Sequence, residues 1–240
     1  MSSVPHRLRQ ALREFELYGR SWADDLRRLR APWGPTNQPV LIYQMGKVAS
    51  SSIYKALSPL SGLDVYHIHR IALPNIISVA KLNLRRGLVP RVSPHAGLLR
   101  HRLRRAHGCP IYVISMVREP VGRNLSAFFQ NVLRSREAAD VDASSVERLR
   151  STFLESYSHD VPVTWFDREF RPVIGVDVYD YEFDREAGFA RFDSGPYRIL
   201  LMRHDLGPDE VRAHLEDLLG REDFELGVAN RGADKRYGDV

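Results

Sequence analysis

The residues best suited to chemistry form a loop after the first apolar segment, residues 40–43. That segment is short and rich in β-branched residues, which is typical of a strand buried in a parallel sheet. Helical spacing of apolar residues resumes at Ile53, so the loop joins a strand to a helix and directs backbone N–H groups at one point. The loop adds an ammonium group and serine hydroxyls, which are also N-cap candidates. Its residues are Gly46, Lys47, Val48, Ala49, Ser50, Ser51 and Ser52. We predict a site for a phosphate-like anion here.

This loop is not the Walker A motif, G-x-x-x-x-G-K-[ST], which cradles nucleotide phosphates. Leu41 stands where that motif has its first glycine, and the hydroxyls follow Lys47 by three to five residues. An ordinary strand-to-helix turn with a serine cap is the alternative interpretation of the same residues.

A second strand-to-helix turn carries an arginine. Residues 110–117, PIYVISMV, form a near-continuous apolar segment that leads directly into Arg118, and a proline then suits the first turn of a helix. A guanidinium at a strand end can bind an oxyanion through two parallel hydrogen bonds. Ser126 places a hydroxyl eight residues further on. We predict a second anion site of the same design; the alternative is a salt bridge between Arg118 and Glu119 or another neighbouring acid.

The distribution of charge favours a polyanionic ligand. The chain has a formal net charge of +5, and residues 65–118 contain ten Lys or Arg side chains and no Asp or Glu. Such a basic surface attracts nucleic acid, phosphorylated cofactors or acidic glycans. A solvated basic helix face without a ligand is the alternative explanation.

The remaining pattern predicts how these loops are positioned. We expect an N-terminal amphipathic helix and linker over residues 1–36, and one α/β domain over residues 37–240. Residues 64–71 and 197–202 are further strand candidates, whereas residues 161–181 predict a long irregular connection with at most a short strand. Helical patterns between the strands predict a short, mostly parallel sheet with helices on both faces. These helical segments are residues 75–86, 96–107, 146–157 and 206–219.

Composition excludes several other kinds of site. The single Cys109 excludes an intrachain disulfide and a cysteine-rich metal site, so we expect a reducing, cytoplasmic setting. His67 and His69 lie two residues apart without a third ligand nearby, so we expect no metal. No apolar segment approaches the ~18–20 residues of a membrane span. The N-terminal helix is expected to pack on the domain, with peripheral association with a membrane as the alternative.

The two loops together resemble the sulfotransferases that use 3′-phosphoadenosine 5′-phosphosulfate (PAPS). GKVASSSI is similar to the family's loop for the 5′-phosphosulfate, and Arg118…Ser126, within VREPVGRNLSAFF, matches its spacing for the 3′-phosphate. ILLMRHDL and the helix after it match a third, weaker element. The resemblance covers roughly residues 38–135 and 196–220, and it implies a three-layer, P-loop-like sulfotransferase fold.

Within that family, the chain looks most like bacterial capsular-polysaccharide sulfotransferases and, more distantly, uronosyl 2-O-sulfotransferases. The segments that carry this likeness are MGKVASSSI, VYHIH, PIYVISMVREPV and WFDREF…GVDVY. The resemblance implies sulfuryl transfer from PAPS to a hydroxyl of a glycan acceptor, acidic or neutral, with no specific nucleic acid and no metal.

The resemblance also implies roles for individual residues. Lys47 would stabilise charge on the leaving bridging oxygen, while the three serines and backbone N–H groups hold the other oxygens. The general base is His69 or His95; His69 is favoured because a strand end is better defined than a loop, and His67 is expected to be a core histidine. Further cations are candidates for the cofactor site. They are Arg123 near the 3′-phosphate and a C-terminal loop with Arg231, Lys235 and Arg236.

Two other functions stay open from the sequence. One is a P-loop-type nucleotide kinase, which the departure from Walker A and the lack of a convincing Walker B acid disfavour. The other is a non-catalytic module on the same fold that binds acidic glycan or nucleic acid. The presence of Lys47, Arg118 and Ser126 together favours the enzyme.

Overall fold

One five-stranded sheet organises the structure, a computed structural model that describes residues 31–85, 94–106, 108–134 and 143–227. Its strands are β1 (Gln38–Tyr43), β2 (Leu63–Ile68), β3 (Ile111–Val117), β4 (Phe189–Ser194) and β5 (Tyr197–Arg203). They follow the spatial order β2-β1-β3-β5-β4, in which only β4 is antiparallel to its neighbour. The predicted mostly parallel α/β sheet is therefore confirmed.

The central strands form where the sequence predicts them because their apolar residues fill the core from both faces. Ile42 of β1 pairs with Ile114 of β3, which in turn pairs with Leu200 of β5. All three side chains are completely buried. Parallel strands that are covered on both sides give the continuous apolar segments seen in the sequence.

Two strand predictions need correction. Strand β2 ends at Ile68 rather than at residue 71, so His69 lies just beyond the strand. The antiparallel edge strand β4 was not predicted. Its exposed positions, Arg191 and Asp193, interrupt the apolar pattern, as is common on an edge strand that must not pair with another chain.

Helices connect the strands, and every predicted helix between strands starts within three residues of its expected position. The α-helices of the described part are α1 (Ser51–Leu57), α2 (Leu73–Arg85), α3 (Pro94–Arg105), α4 (Pro120–Arg134), α5 (Ala143–Ser151), α6 (Val161–Trp165), α7 (Arg171–Ile174) and α8 (Pro208–Leu219). Two π-helical segments, Thr152–Ser156 and Phe166–Phe170, extend α5 and join α6 to α7.

Helical segments cover both faces of the sheet. Tyr54 of α1 stacks on His67 of β2, with ring centroids 5.5 Å apart. His67 pairs with Ile42, whose side chain points to the opposite face from that of Tyr43 because side chains alternate along a strand. Tyr43 packs edge-on against Trp165 of α6, with centroids 5.1 Å apart. The domain therefore has three layers.

The segment over residues 161–181 is helical, not the irregular connection that we predicted. Val161–Ile174 contains α6, the π segment Phe166–Phe170 and α7, and a 3₁₀ turn follows at Val178–Asp180. Its prolines occupy the first turns of α6 and α7, where a missing N–H costs nothing. They mark helix starts rather than a loop.

Several predictions lie outside the described residues. These are the N-terminal amphipathic helix and the basic C-terminal residues Arg231, Lys235 and Arg236. Among the helices that the structure does describe, none combines the length and the apolar character needed to cross a lipid bilayer.

Candidate anion-binding active site

The loop between β1 and α1 departs from ordinary backbone geometry at two residues. Lys47 and Ala49 have φ values of +76° and +64°, in the left-handed region that residues other than glycine rarely adopt. Each such residue costs about 1–2 kcal/mol, so surrounding contacts must stabilise this shape. Val48 lies between them with 1% of its surface exposed and anchors the loop in the core.

The serine hydroxyls of this loop engage nearby protein groups. Ser50 is at the N-cap position of α1, but its side chain makes no capping hydrogen bond. Its Oγ lies 2.8 Å from His67 Nε2 instead, and Ser52 Oγ donates to the Ala49 carbonyl at 3.3 Å. One of the serine candidates thus occupies the N-cap position, but its hydroxyl does not cap the first-turn N–H groups of α1.

The second predicted loop contacts the first. Arg118 Nη1 donates to the Lys47 carbonyl at 3.2 Å, and Arg123 Nε donates to the Gly46 carbonyl at 3.1 Å. The contact arises because β1 and β3 are parallel neighbours, so their carboxyl ends lie at the same edge of the sheet. The structure thus brings Gly46, Lys47, Arg118 and Arg123 together.

Arg123 is an unusual member of this group because only 8% of its surface is exposed. Burial lowers its pKa, while a hydrogen bond with the Tyr157 side chain opposes that effect. Its Nη1 donates to Asn124 Oδ1 at 3.0 Å. Among the described residues, no carboxylate forms an ion pair with Arg123 or with Arg118.

Glu119 changes the design that we predicted for the second loop. Its two carboxylate oxygens accept hydrogen bonds from the backbone N–H groups of Val121 and Gly122, each at 2.6 Å. These hydrogen bonds lower the pKa of Glu119. The N-terminus of α4 is therefore occupied by the chain's own carboxylate. An anion at this loop must therefore bind through side chains, because Glu119 already accepts the hydrogen bonds of the helix N–H groups that we expected to bind it. The alternative salt bridge between Arg118 and Glu119 does not form.

Two predicted site residues are less closely connected. Ser126 lies half-buried in the second turn of α4, and no hydrogen bond joins it to Arg118 among the described contacts. His95 belongs to the first turn of α3, but its side chain is outside the described part of the structure. The choice between His69 and His95 as the general base therefore depends on the contacts and the pKa of His69.

His69 has the features of a general base. Its Nδ1 lies 3.0 Å from the Gln44 carbonyl. A carbonyl can only accept, so Nδ1 carries the proton and Nε2 keeps its lone pair in the neutral ring. Desolvation by the surrounding protein lowers the pKa of His69, although part of its ring is exposed, and the charges of Arg70, Arg123 and Lys47 lower it further. The Gln44 hydrogen bond acts in the opposite direction. The net effect is a pKa of His69 below its ordinary value, which favours the neutral ring.

His67 contacts side chains of the first loop and of α1. It is half-buried between Ser50 and Tyr54. Desolvation, followed by the neighbouring His69, lowers its pKa to about 4. The ring centroids of the two histidines are 5.0 Å apart.

A buried glutamate, which our sequence analysis did not single out, fixes the backbone after His69. Glu169 Oε1 accepts from the Tyr43 hydroxyl at 2.7 Å, from the Ala72 N–H at 2.7 Å and from the Ile71 N–H. Trp165 Nε1, one turn earlier, donates to the His69 carbonyl at 3.2 Å. The only sequence signal for Glu169 was an acid among aromatic residues, which does not reveal its partners.

Comparison of the chain with protein-family models, with curated proteins and with solved structures found no match. Arg118 and Arg123 contact the Lys47 loop where β1 and β3 end, and His69 lies close enough to Lys47 and Arg123 for their charges to lower its pKa. Such a site can bind a multiply charged anion and accept a proton from a neighbouring hydroxyl.

Proposed function

We propose that this chain transfers a sulfuryl group from PAPS to a hydroxyl of a carbohydrate acceptor, an acidic polysaccharide in particular. The observation that carries the proposal is the pair of hydrogen bonds from Arg118 and Arg123 to the Lys47 loop. They join the two segments whose sequences resemble the 5′-phosphosulfate and 3′-phosphate elements of PAPS-dependent enzymes. A donor with a charged group at each end suits two adjacent cationic loops.

The residues present fit such a donor. Arg123 is buried without an ion-paired carboxylate in the described part of the chain. Gln44 is also fully buried beside the loop, and its Nε2 has no hydrogen-bond partner among the described groups. Gly46 to Ser52 would hold the phosphosulfate, while Arg118 and Ser126, with help from Arg123, would hold the 3′-phosphate. PAPS supplies the activated sulfuryl group and leaves as adenosine 3′,5′-bisphosphate.

Side chains of the protein then accept the proton of the acceptor hydroxyl and stabilise the charge on the leaving group. His69 Nε2 takes the proton of the acceptor hydroxyl, because Nδ1 donates its hydrogen bond to the Gln44 carbonyl and so leaves the lone pair on Nε2. The Lys47 ammonium neutralises the charge that develops on the leaving oxygen. Desolvation and, after it, the nearby cations lower the pKa of His69, which favours the unprotonated form of the base.

An acidic acceptor is supported by the charge around this base. Arg70 is exposed and directly follows His69, within the acid-free residues 65–118. A carboxylate or sulfate on the acceptor can pair with such a side chain. We further infer that the five-stranded sheet belongs to the P-loop-like sulfotransferase fold and that the chain works in the cytoplasm.

An activity assay tests the proposal. The full chain is incubated with PAPS and either an acidic or a neutral polysaccharide, without Mg²⁺, and bisphosphate release and acceptor sulfation are measured. We expect sulfation that Lys47→Ala abolishes and Lys55→Ala, an exposed lysine of α1, leaves intact. Mg²⁺-dependent hydrolysis of ATP would instead indicate a kinase-like enzyme. Polysaccharide binding without any transfer would indicate a binding module.

A further inference from the structure

Helix α2 presents an apolar stripe to solvent. None of its residues is buried, and its stripe consists of Leu73, Ile77, Ala80 and Leu84. The spacing i, i+4, i+7 and i+11 places these residues on one side of a helix. Leu73, Ile77 and Leu84 have 51%, 42% and 62% of their surface exposed. An apolar stripe of this length on a solvent-facing helix indicates a surface that binds a partner protein or a membrane.

The stripe faces solvent at Leu73, Ile77 and Leu84. Ala80 is only partly exposed, as are Ile76 and Val79 beside it, so these three residues lie closer to the protein. Leu82 is 44% exposed, but it projects about half a turn away from the stripe. It is an isolated exposed leucine, which is ordinary for a soluble protein.

The charges on α2 itself are all positive. Lys81 and Arg85 are exposed on α2, and the helix contains no acidic residue. Aliphatic side chains beside basic ones are the composition of helices that lie in the interface of an anionic membrane.

The positive charge of α2 indicates which kind of partner binds the stripe. A second copy packed on the stripe would set one basic helix against another, with no acidic residue on α2 to pair with Lys81 or Arg85. Residues 1–30 carry seven arginines against four acidic residues, so they share the sign of α2. A polyanionic glycan would use the basic residues but not the aliphatic stripe. We propose that α2 docks the protein on an anionic lipid surface, with its stripe in the interface and its basic residues at the headgroups.

Sedimentation of the full chain with lipid vesicles tests this proposal. The vesicles contain either phosphatidylcholine alone or equal parts of phosphatidylcholine and phosphatidylglycerol. We expect binding to the anionic vesicles only, weakened about tenfold in the double variant Ile77→Ser, Leu84→Ser because two aliphatic side chains no longer insert. Leu82→Ser, on the same helix but off the stripe, should change binding less than about twofold.

A charge variant separates this surface from general basicity. Lys81→Glu should weaken vesicle binding, whereas the same change at exposed Lys55 of α1 should have a much smaller effect. Equal loss in both lysine variants, equal loss in the stripe and Leu82 variants, or equal binding to neutral vesicles would overturn the proposal.

Two further measurements identify the other occupants. Light scattering that shows a dimer, broken by the stripe variant alone, would assign the stripe to a second copy and overturn the proposal. A fall of several degrees in Tm for the stripe variant, without a fall for Leu82→Ser, would assign it to another part of this chain and overturn it equally. Under the proposal, the chain in solution is unaffected by both variants.

Discussion

Arg123, in the first turn of α4, donates through Nε to the carbonyl of Gly46 at a distance of 3.1 Å. Through this contact, the helix that follows β3 supports the loop that follows β1. The same loop contains the two residues with positive φ. We infer that its strained shape depends on side chains from the neighbouring loop, and that the two loops form one unit.

Replacing Arg123 with lysine tests that dependence. Lysine keeps the charge but not the planar group that reaches Gly46 and Asn124 together. We expect Arg123→Lys to lower the free energy of unfolding by about 1–3 kcal/mol, because buried polar groups lose their partners. Urea denaturation measures this change, with exposed Arg105→Lys on α3 as the control. Equal stability of the two variants would show that the contact is dispensable.

Relief of backbone strain is the second prediction. Ala49 has φ +64°, which glycine adopts without a steric penalty, so Ala49→Gly should raise the free energy of unfolding by about 0.5–1 kcal/mol. The matched control is Ala56→Gly inside α1, which should lower it by about 1 kcal/mol. Thermal and urea unfolding report both changes. A lower free energy of unfolding for Ala49→Gly would contradict the claim that the backbone of Ala49 is strained.

The pH dependence of turnover tests His69 as the base. Its pKa lies below the ordinary value of 6.5 because of desolvation and nearby cations. The unprotonated ring is the active form, so turnover should rise with pH through an apparent pKa below 6.5 and then level off. Removing a cation with Arg70→Gln should move this limb to higher pH, whereas Arg105→Gln should not. His69→Ala should lower turnover by about 10²–10⁴-fold; near wild-type turnover would leave His95 as the candidate.

Glu169 should affect both stability and turnover. Glu169→Gln replaces one acceptor oxygen with a donor in a site where every described partner donates, so we expect a loss of about 1–3 kcal/mol of unfolding free energy. Turnover should fall with little change in KM, because the segment after His69 shifts. Asp167→Asn, an exposed neighbour, is the control for both measurements. A stable variant with unchanged turnover would remove Glu169 from the site's support.

The sequence predicted the central strands and both loops because local patterns specify them. Apolar runs indicate strands that are buried on both faces, as at residues 40–43 and 110–117. The small residues and cations after these runs predicted the loops. Parallel neighbours then necessarily bring such loops to one edge of the sheet. The contact of Arg118 with Lys47 follows from that geometry.

What the sequence did not reveal depends on partners that are distant in the chain or on competition between groups. Glu169 contacts Tyr43 across 126 residues, and no local pattern encodes such a contact. Glu119 was considered as a partner for Arg118, yet it caps α4 instead. Edge strand β4 was missed because half of it faces solvent and lacks the apolar run that marked the other strands.

Calorimetric titration with adenosine 3′,5′-bisphosphate, without Mg²⁺, tests the central claim most directly. We expect the wild-type chain to bind, and Arg118→Ala to lose about 1.5–3 kcal/mol of binding free energy because charged hydrogen bonds are removed. Lys47→Ala should also weaken binding, while Lys55→Ala should bind like the wild type. No binding, or binding that neither Arg118→Ala nor Lys47→Ala changes, would contradict a PAPS site at these two loops.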